Sequence, residues 1–214
     1  MRRTLHVTVF GATGGTGRHV VAQALRAGHR VQAVVRDPGR LPLSHVRLET
    51  VRMDTPDLGR LAQTLAHGDA VISALGASAR GGFPASTWIS AILRAVEDHP
   101  RPRLVAVSAS PLGPPPARES MVIKKVVTPL VGWVFRDAYR DLAVMERSLS
   151  ASDTDWTILR PPRLTDGPLT GLHRMSLGTN VSGGLSISRA DLAHAALAAL
   201  EDPATLKQAV GVSR

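Results

Sequence analysis

The chain has no cysteine. That excludes a disulfide framework, a thiol nucleophile and any zinc site built with thiolates. Aromatic residues are almost as scarce: three Phe, three Trp and one Tyr in 214 residues. So few rings argue against a stacking platform for single-stranded nucleic acid. Long apolar runs are missing as well. None approaches the ~18 residues of a spanning helix, so no membrane partner is expected. The apolar stretch after Arg2-Arg3 is too short for a signal-peptide core, and the expected location is cytoplasmic. Histidine occurs eight times, but never at an H-x-x-x-H or similar ligand spacing. A metal site is not expected.

Glycine, by contrast, is plentiful and placed. Val7-Thr8-Val9-Phe10 reads as a buried strand, and it breaks into Gly11-Ala12-Thr13-Gly14-Gly15-Thr16-Gly17. Residues 18–28 then read as a helix that Gly28 ends. Strand, glycine turn and helix in that order are the context a dinucleotide fingerprint requires. Gly11 suits the tight turn, Gly14 leaves room for a pyrophosphate, and Gly17 permits close helix–strand packing. Backbone N–H groups at the helix start would hold the phosphates. Residues 31–36 form a second strand, at whose end an acid would bind a ribose 2′-hydroxyl and an arginine a 2′-phosphate. Arg36 and Arg40 stand there, so NADP(H) is favoured over NAD(H), although Asp37 follows immediately. The plainer reading is that both are solvated surface arginines.

Strands and helices go on alternating. Strands are expected at 46–53, 70–75 and 103–108, and helices at 57–66 and 84–96, with a loop at 77–82. The proline stretch 111–116 is compatible with neither helix nor central strand. A long helical tract follows to about residue 150, kinked or split at Pro129. A sixth strand spans 155–160. Residues 161–171 form a loop long enough to suggest function. Ser188 and Asp191 form a capping box for a helix ending at Leu200, and residues 209–212 make a last edge strand. The expected fold is α/β: a Rossmann-type, doubly wound, mostly parallel sheet. It forms one domain over residues 1–214, with a small C-terminal substrate-binding portion, mainly 109–188. Ligands in such sheets bind beyond the carboxyl ends of the strands.

Basic residues outnumber acidic ones by 26 to 17, a formal net charge of +9. No Lys/Arg run exceeds two, so nucleic acid is not the expected partner. The charge reads as compositional bias plus a field suited to a phosphorylated cofactor.

The turn G-A-T-G-G-T-G resembles the atypical short-chain dehydrogenase/reductases. So do V-R-D after the second strand, Leu75-Gly76 after the fourth and Val107-Ser108-Ala109-Ser110 after the fifth. The similarity extends to their NAD(P)H-binding, NmrA-like group, which includes the flavin reductase also called biliverdin-IXβ reductase. The run from Asp155 through Pro161-Pro162-Arg163-Leu164 to Pro168-Leu169-Thr170-Gly171 is similar to that reductase's loop ending in P-L-T-G. The resemblance covers nearly the whole chain. It implies that Gly11, Thr13, Gly14, Gly15, Thr16 and Gly17 bind the pyrophosphate of NADP(H). Arg36 and Arg40 would hold the 2′-phosphate, Asp54 and Thr55 flank the adenine, and Leu75 and Gly76 line the ribose. Ser108 to Ser110 would line the nicotinamide, with Pro161 to Leu164 closing over it and the substrate.

The departures limit the chemistry. Members of the wider family pair a Tyr with a Lys four residues on, so that the phenol can move a proton. The sole tyrosine, Tyr139, is followed four later by Ala143. If Glu146 marks the register of that helix, the dyad positions are Ala138 and Leu142. A flavin, quinone or similar conjugated acceptor needs only proximity and a proton from water. Ser110, Ser108 and Arg163 are the candidate catalytic residues. Asp137, Asp141 and Glu146 either ring the crevice or, more simply, two are solvated and one pairs with Arg136 or Arg140. Trp88, Trp133, Trp156 and the stretch Val131-Gly132-Trp133-Val134-Phe135 read as core, pocket wall or interface. The loop 161–171, stiff at its prolines and loose at Gly167 and Gly171, reads as a gate.

Three functions remain open. The first is an NADP(H)-dependent reductase of a small conjugated molecule. The second is a non-catalytic, NmrA-like sensor that binds dinucleotide. The third is a ketoreductase or epimerase that tailors a small molecule. The expected partner is a small-molecule substrate, and the expected state a monomer or homodimer.

Overall fold

The computed structural model describes residues 3–76, 85–97, 102–114 and 136–214. The expectations for 77–82, Pro129 and 131–135 lie outside the described residues.

Ten strands are described, beginning with β1 (His6–Phe10), β2 (Arg30–Val35), β3 (Leu48–Arg52), β4 (Ala70–Ser73) and β5 (Arg103–Val107). The rest are β6 (Trp156–Arg160), β7 (Arg163–Thr165), β8 (Arg174–Leu177), β9 (Ser186–Ser188) and β10 (Gln208–Ser213). The helices are α1 (Gly15–Arg26), α2 (Leu58–Leu65), α3 (Ala85–Ala95), α4 (Arg136–Ser150) and α5 (Arg189–Glu201). Eight strands form one sheet in the order β3-β2-β1-β4-β5-β6-β10-β8. Every pairing in it is parallel except β10 with β8.

Both faces of this sheet are covered, so its central strands are apolar on both sides. Val7 and Val9 of β1, with Val105 and Val107 of β5, pack under α1 and α5. The alternate residues Phe10, Leu104 and Ala106 pack under α2, α3 and α4. The alanines of α5 let it lie close to α1, and the Gln23 side chain donates to the Ala190 carbonyl across the contact at 2.8 Å. The fold is thus the doubly wound α/β arrangement expected.

Some boundaries differ from the sequence reading. Helix α1 begins at Gly15, inside the glycine segment, with Gly14 as its cap. Asp57 stands outside α2 and caps it, accepting the Arg60 N–H at 2.8 Å. Ser110–Leu112 makes one 3-10 turn, where Pro111 is tolerated because a first-turn residue needs no N–H. The segment at 209–212 is a strand but not the edge: β8 covers it, antiparallel. The loop at 161–171 contains β7, paired in parallel with β9 as a separate two-stranded sheet.

Candidate functional site

The strand order reverses between β1 and β4, and a crevice opens at their carboxyl ends. The glycines shape its floor. Gly11 has φ +75°, and a Cβ there would lie 2.7 Å from the Ala74 carbonyl oxygen. A Cβ on Gly17 would sit 2.1 Å from the Gly11 carbonyl oxygen, so no other residue lets α1 approach β1 this closely. The Gly14 N–H donates to the Gly11 carbonyl at 2.9 Å, and the first bond inside α1 runs from the Arg18 N–H to the Gly14 carbonyl at 3.0 Å. The N–H groups of Gly15, Thr16 and Gly17 precede that bond. No side chain caps this end and no acidic residue lies in the first turn. The helix therefore presents a positive end to the crevice.

A cavity of about 170 Å³ lies against this turn, lined by Phe10, Gly11, Thr13, Gly14, Val34, Val35, Arg36, Met53, Ala74, Leu75, Gly76 and Trp88. Space beside Gly76 is open. Phe10 and Trp88 meet at a ring separation of 5.4 Å, tilted by 52°. Of the expected cofactor residues, Gly11, Thr13, Gly14, Arg36, Leu75 and Gly76 gather here. Arg40 lies on the exposed 3-10 turn Pro38–Arg40 just beyond β2. Asp37 is turned into that turn, its Oδ1 accepting the Gly39 N–H at 3.0 Å. Asp54 pairs with Arg52 at 3.6 Å on the surface. Met53, not Asp54 or Thr55, reaches the cavity wall.

At the ends of β5 and β6 one carboxylate organises three elements. Glu146, on α4 and buried, accepts from Arg160 Nε at 3.0 Å and Nη2 at 2.6 Å. It also accepts from the Ser108 hydroxyl at 2.6 Å. Ser108 is buried, and its hydroxyl is committed inward. Ser110 is half-buried; its N–H donates to the Pro161 carbonyl at 2.9 Å, and its own carbonyl accepts from Asn180 Nδ2 at 2.9 Å. The turns after β5 and β6 are thereby tied together.

The acidic residues of α4 depart from the simple solvated reading. Asp137 pairs with Arg140 at 3.4 Å, as one of the three was expected to. Asp141, however, caps α3, accepting the Ala85 N–H at 2.7 Å and the Ser86 N–H at 3.2 Å. Glu146 is the buried clamp just described. Tyr139 is half-buried, and burial pushes its phenol above the ordinary value.

The loop 161–171 is also held more firmly than its glycines suggest. Arg163, exposed, and Leu164, half-buried, belong to β7, which pairs with Ser186 and Ile187 of β9. The far end is gripped by Asp191. Its carboxylate accepts the Thr170 N–H at 2.8 Å, the Thr170 hydroxyl at 2.9 Å and the Gly171 N–H at 2.9 Å. The Ser188 hydroxyl donates to it at 2.9 Å. Burial would raise this carboxyl, but these donors outweigh it and hold Asp191 below the usual carboxylate range. Gly171 is thus an anchor, with φ +71° to meet the carboxylate; with the Pro168 carbonyl 3.2 Å from the Ser188 hydroxyl, the expected loose tip shrinks to 166–167.

The capping box was legible in Ser188 and Asp191; the second use of Asp191, as loop anchor, was not. Arg189 was missed altogether. It is the first residue of α5, and its side chain lies over Gly15 at the start of α1. Its spacing from the glycine turn, 174 residues along the chain, carries no local signal.

The NAD(P)H-binding family matches residues 11–203. A UPF0659 protein of Schizosaccharomyces pombe is 29% identical over 211 residues, covering 89% of this chain and 83% of that protein. The structure of a candidate NADH-flavin reductase from Streptococcus pneumoniae aligns with TM-score 0.80 at 22% identity, over 98% of this chain and 99% of its own. A short-chain dehydrogenase/reductase from Veillonella parvula, solved in complex with NADP, aligns with TM-score 0.79 at 18% identity, over 99% and 95%.

Proposed function

Since this chain belongs to the NAD(P)H-binding family, we propose that it is an NADP(H)-dependent reductase of a flavin, quinone or similar small conjugated acceptor. The observation that carries the reading is the cavity between β1 and β4, with an uncapped helix end on one side and Arg36 on the other. The residues present fit a dinucleotide. The positive end of α1 suits a pyrophosphate, and the side-chain-free surface of Gly14 and Gly76 leaves the approach open. Arg36 and Arg40 suit a 2′-phosphate, while Asp37, engaged with Gly39, is drawn away from the role of a ribose acceptor.

When bound, the nicotinamide supplies a hydride. The chain's own residues position it and the acceptor. Leu75 and Gly76 would flank the ribose, and Ser110 and Pro161, joined by their backbone bond, would border the nicotinamide end. Between Ser110 and Ser108 the role falls to Ser110, because the Ser108 hydroxyl is spent on Glu146. Arg163, exposed on β7, faces substrate selection. If Glu146 marks the helix register, the positions of a Tyr–Lys dyad hold Ala138 and Leu142, and burial pushes the Tyr139 phenol further above its ordinary value. An acceptor that takes its proton from water suits such a site better than a ketone does.

Cofactor oxidation measured against a panel of flavins, quinones and ketones tests the reading. Turnover with flavins or quinones and little with ketones is expected. Tight NADP(H) binding with no turnover of any acceptor would favour a dinucleotide sensor instead. Arg163→Ala should change kcat/KM and leave NADPH affinity within about twofold; loss of cofactor affinity would make Arg163 a phosphate ligand.

A further inference from the structure

Arg189 occupies an electrostatically awkward place. It is the first residue of α5, whose amino end is capped by Ser188 and carries Asp191 in its first turn. Its side chain crosses to the amino end of α1, which has neither a side-chain cap nor an acidic residue in its first turn and is positive. A Cβ built on Gly15 would lie 2.6 Å from Arg189 Cδ and 2.8 Å from its Nε, so the arginine stem and head rest on the bare Gly15 backbone. A cation laid on a bare, positive helix end such as that of α1 is disfavoured unless an anion joins it. The anion present is Asp166, paired with Arg189 Nη1 at 2.5 Å. That carboxylate is a weak partner: its side chain is 89% exposed, against 30% for Arg189. Solvent screens such a pair.

Asp166 belongs to the short segment between the two fastened ends of the 161–171 loop. Strand β7 fixes the chain up to Thr165; the Pro168 carbonyl, 3.2 Å from the Ser188 hydroxyl, and Asp191 at Thr170 fix it again. Asp166 is therefore able to leave while both ends stay in place.

We propose that Arg189 is a ligand of the cofactor pyrophosphate, held by Asp166 in the free protein and exchanged to the phosphates on binding. The inference rests on the dinucleotide reading above and adds to it a residue outside the glycine turn. The diphosphate offers what the α1 end lacks: an anion that meets the bare helix end and the guanidinium together. The same exchange frees Asp166, which makes cofactor binding loosen the chain at 166–167 beside the substrate end. Gly15 then has a second use. It keeps the α1 start bare so that the guanidinium can lie against it.

NADPH and NADH titrations of the full chain, followed by tryptophan fluorescence, test this. Arg189→Ala is expected to weaken both cofactors by the same factor, about tenfold or more. The NADPH-to-NADH ratio stays at its wild-type value, because the pyrophosphate is common to both. Arg189→Lys recovers part of the loss. Asp166→Asn binds as tightly as wild type or more tightly, since it removes only the competing anion. Unchanged affinity in Arg189→Ala overturns the proposal. So does a loss in Asp166→Asn as large as in Arg189→Ala, which would make the pair a structural clasp. Thermal midpoints identify any variant that fails to fold, and Asp166→Asn then decides alone. A wild-type chain that binds neither dinucleotide would sink the family-site reading and this inference together. Binding by wild type with the wrong variant pattern sinks this inference only.

Discussion

Arg36 lines the cavity at the end of β2, and Arg40 stands one 3-10 turn beyond it. On the reading proposed above, their worth would show only against a 2′-phosphate. Arg36→Ala is expected to weaken NADPH by about 1.5–3 kcal/mol, the scale of a charge-assisted bond, and to leave NADH nearly unchanged. Paired titrations of both cofactors check this, and equal losses would reassign Arg36 to the common part of the dinucleotide. Tyr139 invites the opposite expectation. Burial raises its phenol, and no lysine sits four residues on. Tyr139→Phe should keep turnover of a flavin or quinone within about threefold, whereas loss of a true general acid costs on the order of 10²–10⁴. The glycines were legible in the sequence because a turn, a close approach and a positive φ each demand that residue type. Arg189 was not, because a lone arginine after a helix cap has no distinguishing spacing. Only the packing of α1 on α5 gives it a meaning.

Elements show the same division. The strands β1, β2, β4, β5 and β6 were readable because burial on both faces makes them continuous apolar runs. Strands β7 and β9, three residues each, carry no period and exist only through their mutual pairing. Strand β8, four residues of mixed polarity, owes its place to β10. The P-L-T-G segment looked like a hinge because of its glycine. The buried carboxylate of Asp191 makes it a fastening instead. That carboxyl is depressed in the folded state, so its stabilisation is present above the unfolded carboxyl value of about 3.9 and is lost as pH falls through the lower folded value. Asp191→Asn should therefore cost about 2–3 kcal/mol near neutrality. The gap between wild type and variant should close as pH drops below about 4. Urea denaturation at a series of pH values measures it, and a gap independent of pH would show that the charge is not what holds the loop.

At the scale of the whole molecule, a net charge of +9 accompanies a crevice bordered by the bare end of α1 and by Arg36. Such a field speeds the approach of a multiply anionic dinucleotide and fades with salt. Stopped-flow association of NADPH should slow as ionic strength rises. An association rate indifferent to salt would mean that the excess charge is composition alone.

The Asp191 fastening also predicts a pattern in time. The amide hydrogens of Thr170 and Gly171 end on a carboxylate that is 1% exposed, although the residues around them are open to solvent. Their exchange with deuterated water requires the start of α5 to part from the loop, a larger opening than fraying of the loop itself. These two amides should exchange far more slowly than those of Asp166 and Gly167. They would form a slow island in a fast surface segment, one that vanishes in Asp191→Asn.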